Sequence, residues 1–168
     1  MNEEIFDVVD ENDQVASQAS RSVVHTQNLL HRAVSIFVLK PDGRLLLQLR
    51  SESKDQYPGC YTSSASGHVD SGEDYETAAA RELREELSLD LPIDFLAKFP
   101  AGPETAFEFT ALYQVVTDMA PVLDSGEIAG AEFLSLDEIA SMLKASPEQF
   151  TPPFRVMFEW YREFRRTS

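Results

Sequence analysis

Cysteine, positive charge and long apolar runs are all scarce in this 168-residue chain. Cys60 is the only cysteine, so no disulfide can form within the chain. A cytoplasmic protein is the simplest expectation. Lys and Arg number 14 against 29 Asp and Glu, for a formal net charge of -15. That deficit argues against a nucleic-acid polymer or an anionic membrane surface as partner. It leaves room for a small phosphorylated substrate, provided a metal ion screens the site. No uninterrupted apolar stretch is long enough to span a bilayer. The opening MNEEIFDVVDEN is acidic and lacks an apolar h-region, so no signal peptide is expected. Interdomain linkers, repeats and low-complexity tracts are missing too, so residues 1–168 are expected to form one domain, as monomer or homodimer.

The richest stretch is Gly67 to Leu89, GHVDSGEDYETAAARELREELSL. Its later half has alanines, leucines and glutamates, with no Gly or Pro until Pro92, and predicts a helix. Ser71 is the expected N-cap, with Asp74 as its partner in a capping box. Tyr75, Ala79, Leu83 and Leu87 recur every four residues as an apolar stripe. Glu82, Glu85 and Glu86 sit beside it, within an arc of roughly 100°. Two like charges about 4 Å apart repel by ~1 kcal/mol in water and ~4 kcal/mol at an effective dielectric near 20. A hard divalent cation would remove that repulsion, and carboxylate oxygens suit Mg²⁺. A solvated acidic helix face is the plainer reading of the same cluster.

The spacing of the whole stretch resembles the Nudix box, G-x5-E-x7-R-E-U-x-E-E-x-G-U, where U is a bulky aliphatic residue. Gly67, Glu73, Arg81, Glu82, Leu83, Glu85, Glu86 and Leu89 fill their places. Ser88 stands where the family has Gly, which predicts a poorer helix cap and no loss of chemistry.

Around the box, Ile5 to Val9 and Gln14 to Ala16 predict a hairpin within an N-terminal extension, residues 1–30. Ser20 to Asn28 is ambiguous and admits a short helical turn. His31 to Lys40 reads as a buried strand, Pro41-Asp42-Gly43 as a turn and Arg44 to Arg50 as a second strand. Tyr61 to Ser66 leads into the box as an extended segment. Ile93 to Phe99 and Thr105 to Val116 read as strands, the latter with Phe107, Phe109, Ala111 and Tyr113 on one face. Ala131 to Leu134 is a short strand. A helix over Leu136 to Leu143 has Ser135 and Glu138 as its cap pair. Phe150 to Arg165 predicts a last helix, within a C-terminal segment 147–168. The mixed order implies an α/β/α sandwich with a mixed β-sheet between helices, the fold the Nudix resemblance also implies.

Within the superfamily the chain is similar to the branch of isopentenyl-diphosphate isomerase and its hydrolase relatives. The similarity rests on HRAVSIFVLKPDGRLLLQLRSESKDQYPGCYTSSASGH and, more loosely, on PEQFTPPFRVMF. Those isomerases carry a proton-transferring cysteine just before Gly-His, and here Ser66 occupies that place. A serine hydroxyl is far less acidic and cannot readily replace it. Their metal is held by three histidines and two glutamates. His25, His31, His68 and Glu108 could correspond, while Ala106 replaces the other glutamate. The histidines also admit a plain reading as hydrogen-bonded side chains at strand ends.

The resemblance implies a metal-dependent hydrolase of a nucleoside diphosphate linked to a moiety X. Glu82, Glu85 and Glu86, joined by Glu108, would hold Mg²⁺ or Mn²⁺. Arg81 would pair with Glu73 and fix the loop, and Glu82 or Glu108 would take the proton of the attacking water. Gly67, His68, Arg50 and Lys54 are the expected substrate contacts, although Arg50 and Lys54 also read as solvated loop cations. An isopentenyl-diphosphate isomerase and a non-catalytic ligand-binding module are the alternatives.

Overall fold

The protein, described here by a computed structural model over residues 3–168, is built on a split mixed sheet. Strand β3 (His31–Leu39) is its axis. Along one edge β3 runs parallel to β8 (Glu108–Val116), in register from His31 opposite Glu108 to Leu39 opposite Val116. Strand β7 (Asp94–Phe99) closes that side, antiparallel to β8.

The other edge of β3 is divided. The hairpin partner β4 (Leu45–Arg50) meets β3 only at Leu39 and Leu45. Beyond that point the strands splay, and the expected extended segment is wedged between them as two pieces. β5 (Tyr61–Thr62) joins β4, while β6 (Ala65–His68) joins β3. Strand β9 (Ile128–Leu134) covers the far edge of β4. Polar groups pin the split. Ser64 Oγ accepts from Val38 N at 2.9 Å and donates to the Leu46 carbonyl at 2.6 Å. These bonds satisfy main-chain groups that the divergence would otherwise leave buried and unpaired.

Side-chain alternation sorts β3 between two cores. Val34, Ile36 and Val38 pack with Ala79, Leu83 and Leu87 of helix α2 (Tyr75–Leu87). Phe37 and Leu39 point the other way, toward Ile139 of α3 (Leu136–Ala145) and Phe154, Met157, Phe158 and Tyr161 of α4 (Pro152–Thr167). The result is the α/β/α sandwich expected from the element order, with the Tyr75–Leu87 stripe buried as its four-residue spacing requires. No helix among the described residues is long and apolar enough to cross a membrane.

Outside the sandwich lies the hairpin of β1 (Ile5–Val9) and β2 (Val15–Ser20), followed by the short α1 (Arg21–Thr26). Asp13 fastens it to the sheet by accepting from Arg32, Tyr75 and Lys98 at 2.7–2.8 Å.

Three local expectations are corrected. Asp74, not Ser71, caps α2, because Gly72 at φ +81° turns the chain first; Ser71 Oγ instead donates to Asp7. The strand expected from Thr105 starts only at Glu108. Pro103–Thr105 is a 3₁₀ turn, and Ala106 and Phe107 hold left-handed conformations at φ +55° and +63°. The last helix starts at Pro152 rather than Phe150, since Pro147–Gln149 forms a separate 3₁₀ turn and Phe150 is extended.

Candidate active site

The split between β3 and β4 opens onto a cleft of about 390 Å³, lined mainly by polar and charged side chains. That volume lies within the range of ~300–1,000 Å³ usual for small-molecule sites. Helix α2 supplies Glu82, Glu85 and Glu86 to one wall, and β6 supplies Ser66, Gly67 and His68. Glu108 and Thr110 enter from β8, and Arg50 and Lys54 from the end of β4 and the loop after it. The cleft therefore collects Arg50, Lys54, Gly67, His68, Arg81, Glu82, Glu85, Glu86 and Glu108, while Glu73, His25 and His31 lie outside its lining.

Gly67 is required by close approach. A Cβ built there would stand 2.2 Å from the Glu82 carboxylate, so any side chain would displace that acid. Arg81 organises the acids from the other side. It bonds both oxygens of Glu73 at 2.9 Å, Glu82 at 2.8 Å, Glu85 at 3.3 Å and the His68 carbonyl at 3.1 Å. The Glu73 carboxyl is held below its usual range by these bonds. The Arg81–Glu73 pairing expected from the box thus also ties the loop to β6.

The acids themselves are under strain. Burial pushes the Glu82 carboxyl up to about 7. Glu86, 5 % exposed, is pushed well above its ordinary value, first by burial and then by the charge of Glu82. Two buried carboxyls that resist ionising side by side fit a bound divalent cation, whose charge would offset both penalties. Glu85 is exposed and adds an oxygen at the rim.

A second donor set adjoins the first. One ligand atom from each of His25, His31 and His68 lies within 4.8 Å of the others. His31 Nδ1 binds the Leu29 carbonyl at 2.8 Å, leaving Nε2 for the cluster. The Nε2 atoms of His25 and His68 are buried without a hydrogen-bond partner, although His68 Nε2 lies 2.9 Å from Glu108 Oε2. Burial lowers His25 to about 4, and its charged neighbours add to the effect, so this imidazole is neutral near pH 7. Imidazole nitrogens facing one another beside a carboxylate fit a metal ion. Burial alone would raise the Glu108 carboxyl, but its contacts with His31 and His68 outweigh it and hold the group at about 2. Phe6 of the hairpin covers this set, its ring 4.7 Å from that of His68.

Other expectations change in place. Arg50 lies in the cleft lining, and its guanidinium also binds the Gln56 and Tyr57 carbonyls through Nε and Nη2 and braces that loop. Lys54 pairs with Glu127 across the cleft mouth. Phe99, Phe109 and Tyr113 are buried in the core, and Tyr57 brings an aromatic ring to the lining. Sequence reading missed Gln48, which bonds Glu86 from inside β4, and Arg21 at the cleft edge. A glutamine inside an apolar strand pattern was the available signal for the first.

The NUDIX domain model matches residues 29–160. The chain is 30% identical over 158 residues to isopentenyl-diphosphate Delta-isomerase 2 of Photorhabdus laumondii, covering 91% of this chain and 89% of that protein. It is 32% identical over 151 residues to a prenyl-diphosphate phosphatase of Methanosarcina mazei, with 88% of each chain covered. The crystal structure of DR0079 from Deinococcus radiodurans superposes with a TM-score of 0.76 at 32% identity, over 84% of this chain and 90% of that one. With the box in place on α2, its acids in one cleft and a family match over most of its length, the chain belongs to the NUDIX domain family.

Proposed function

We propose that this Nudix pyrophosphohydrolase is metal-dependent and cleaves the diphosphate linkage of a nucleoside diphosphate joined to a further moiety X. The observation that carries the reading is the convergence of Glu82, Glu85 and Glu86, with Arg81 bonded to the first two, on one polar cleft of about 390 Å³. Glu82, Glu85 and Glu86 would hold Mg²⁺ or Mn²⁺, and the set of His25, His31, His68 and Glu108 is a candidate for a further ion. A bound divalent cation supplies neutralisation of the phosphate charge and a more acidic water. The chain supplies the rest. Arg81 keeps Glu82 and Glu85 in place, and Gly67 lets β6 approach them. Glu82, in the cleft beside Glu85 and Glu86, is the candidate to take a proton from the attacking water at one of its oxygens. Glu108, in contact with His31 and His68, is the alternative base.

The polar lining favours a hydrophilic X. The phosphatase relative favours a second reading, hydrolysis of a prenyl diphosphate. Isomerase activity is disfavoured by Ser66 in place of the cysteine and by Ala106, whose left-handed backbone lies outside strand β8. A panel of nucleoside diphosphate derivatives, prenyl diphosphates and isopentenyl diphosphate, incubated with Mg²⁺ or Mn²⁺ and scored by product mass for hydrolysis and by proton NMR for isomerisation, tests these readings. Metal-dependent cleavage of a nucleotide substrate supports the proposal. Cleavage of prenyl diphosphates alone favours the second reading, and formation of dimethylallyl diphosphate overturns both.

A further inference from the structure

Arg81 aims Glu82 and Glu85, and Glu86, the deepest of the three, is served from outside the box. Gln48 lies in the middle of β4, opposite Thr62 of β5 and Ala131 of β9, and is 2 % exposed. Its Nε2 donates to Glu86 Oε1 at 2.8 Å and to the Ser64 carbonyl at 2.9 Å. Among the described residues, the other Glu86 oxygen accepts the long contact from Ser66 N at 3.4 Å, and the Glu82 carboxyl adjoins this group. Gln48 Nε2 thus spends both hydrogens spanning the sheet split, one on the wedge segment and one on the acid. An amide in an otherwise apolar strand core is costly unless both hydrogens are used, and a leucine would fill the same space. Its use here is orientation: it holds Oε1 toward the sheet and leaves Oε2, with its long Ser66 contact, as the less engaged oxygen.

We infer that Gln48 is a positioning residue for the metal site, fixing Glu86 so that Oε2 serves as the ligand atom. The inference rests on the reading of Glu86 as a metal ligand. Outer partners of this kind typically govern metal affinity by ~10–100-fold. Gln48→Met keeps the length and removes the donor. Ser64→Ala removes a hydroxyl from the same split but leaves the Gln48–Glu86 bond in place.

The experiment is a Mn²⁺ titration by calorimetry, with the electron paramagnetic resonance spectrum of the bound ion, on wild type, Gln48→Met, Ser64→Ala, Glu86→Gln and the Gln48→Met/Glu86→Gln pair. Thermal unfolding of the metal-free proteins runs alongside. Weaker Mn²⁺ binding in Gln48→Met by ~10-fold or more, with an altered spectrum, is expected. Ser64→Ala should lose stability and keep its affinity, and Gln48→Met should add nothing once Glu86 is glutamine. Equal affinity in Gln48→Met and wild type, while Glu86→Gln is weakened, overturns the inference alone. Losses of affinity that merely track stability in both Gln48→Met and Ser64→Ala also overturn it. Unchanged affinity in Glu86→Gln removes the underlying reading and this inference with it.

Discussion

Replacing Glu82 by glutamine should stabilise the metal-free protein at high pH while removing its response to metal. Glu82 is 13 % exposed as a side chain, and burial raises its carboxyl from 4.5 to about 7. A carboxyl whose folded value is raised contributes stability that is fully present below its unfolded value and is lost as pH rises through the folded one. The relevant window is therefore pH 4.5 to about 7. At 1.36 kcal/mol per pH unit, the cost of ionising it in the fold approaches about 3 kcal/mol at pH 8. His25 opposes this in the wild type. Its folded value is depressed to about 4, so its contribution is present above 6.5 and lost as pH falls through 4. The wild-type profile alone is thus flattened, and the variant must be compared with it at each pH. Urea unfolding in chelator should show Glu82→Gln close to wild type at pH 5 and more stable by up to about 3 kcal/mol at pH 8. In Mg²⁺ at ~1,000 times its Kd the order should reverse, because metal at that level stabilises only the binding-competent protein, by about 4.1 kcal/mol. A variant less stable than wild type at pH 8 in chelator would refute the reasoning. It would show that ionised Glu82, through its bond to Arg81, stabilises the empty site.

Three further outcomes follow from local geometry. Gly67→Ala should fold but bind Mn²⁺ more weakly in calorimetry, since the new methyl overlaps the Glu82 carboxylate rather than backbone. Ser88→Gly should raise the melting temperature, because Ser88 caps α2 at φ +56° and glycine avoids a penalty on the order of 1 kcal/mol there. Glu108→Gln should lower kcat by ~10²-fold if Glu108 is the base, with KM nearly unchanged. Partial recovery at high Mn²⁺ would mark it as a ligand instead, and wild-type kinetics would exclude it from the site.

What could be read from the sequence was local or periodic. The box helix and its stripe follow from spacings within one turn-and-helix segment, while the resemblance to the box supplied the Arg81–Glu73 pair and the Ser88 mismatch, where the structure has a left-handed cap. The strand pattern of β3 gave its burial, but not which strands would flank it. The split pinned by Ser64 depends on residues far apart in the chain, and with it the contact of Gln48 to Glu86, 38 positions away. The histidines show the same limit. His25, His31 and His68 come from α1, β3 and β6, and only β3–β6 pairing and the docked hairpin bring their rings together. Residues 105–107 misled for a physical reason: alternating apolar side chains mimic a strand, but the chain turns sharply after Gly102 and enters the sheet only at Glu108.

The most direct test of a metal-dependent diphosphate hydrolysis is product analysis in ¹⁸O-labelled water with one cleavable nucleoside diphosphate derivative. Wild type with Mg²⁺ should place a single label on one phosphate product, and chelator or Glu82→Gln should abolish both cleavage and label. Cleavage that persists in chelator, or products that carry no label, would contradict the account.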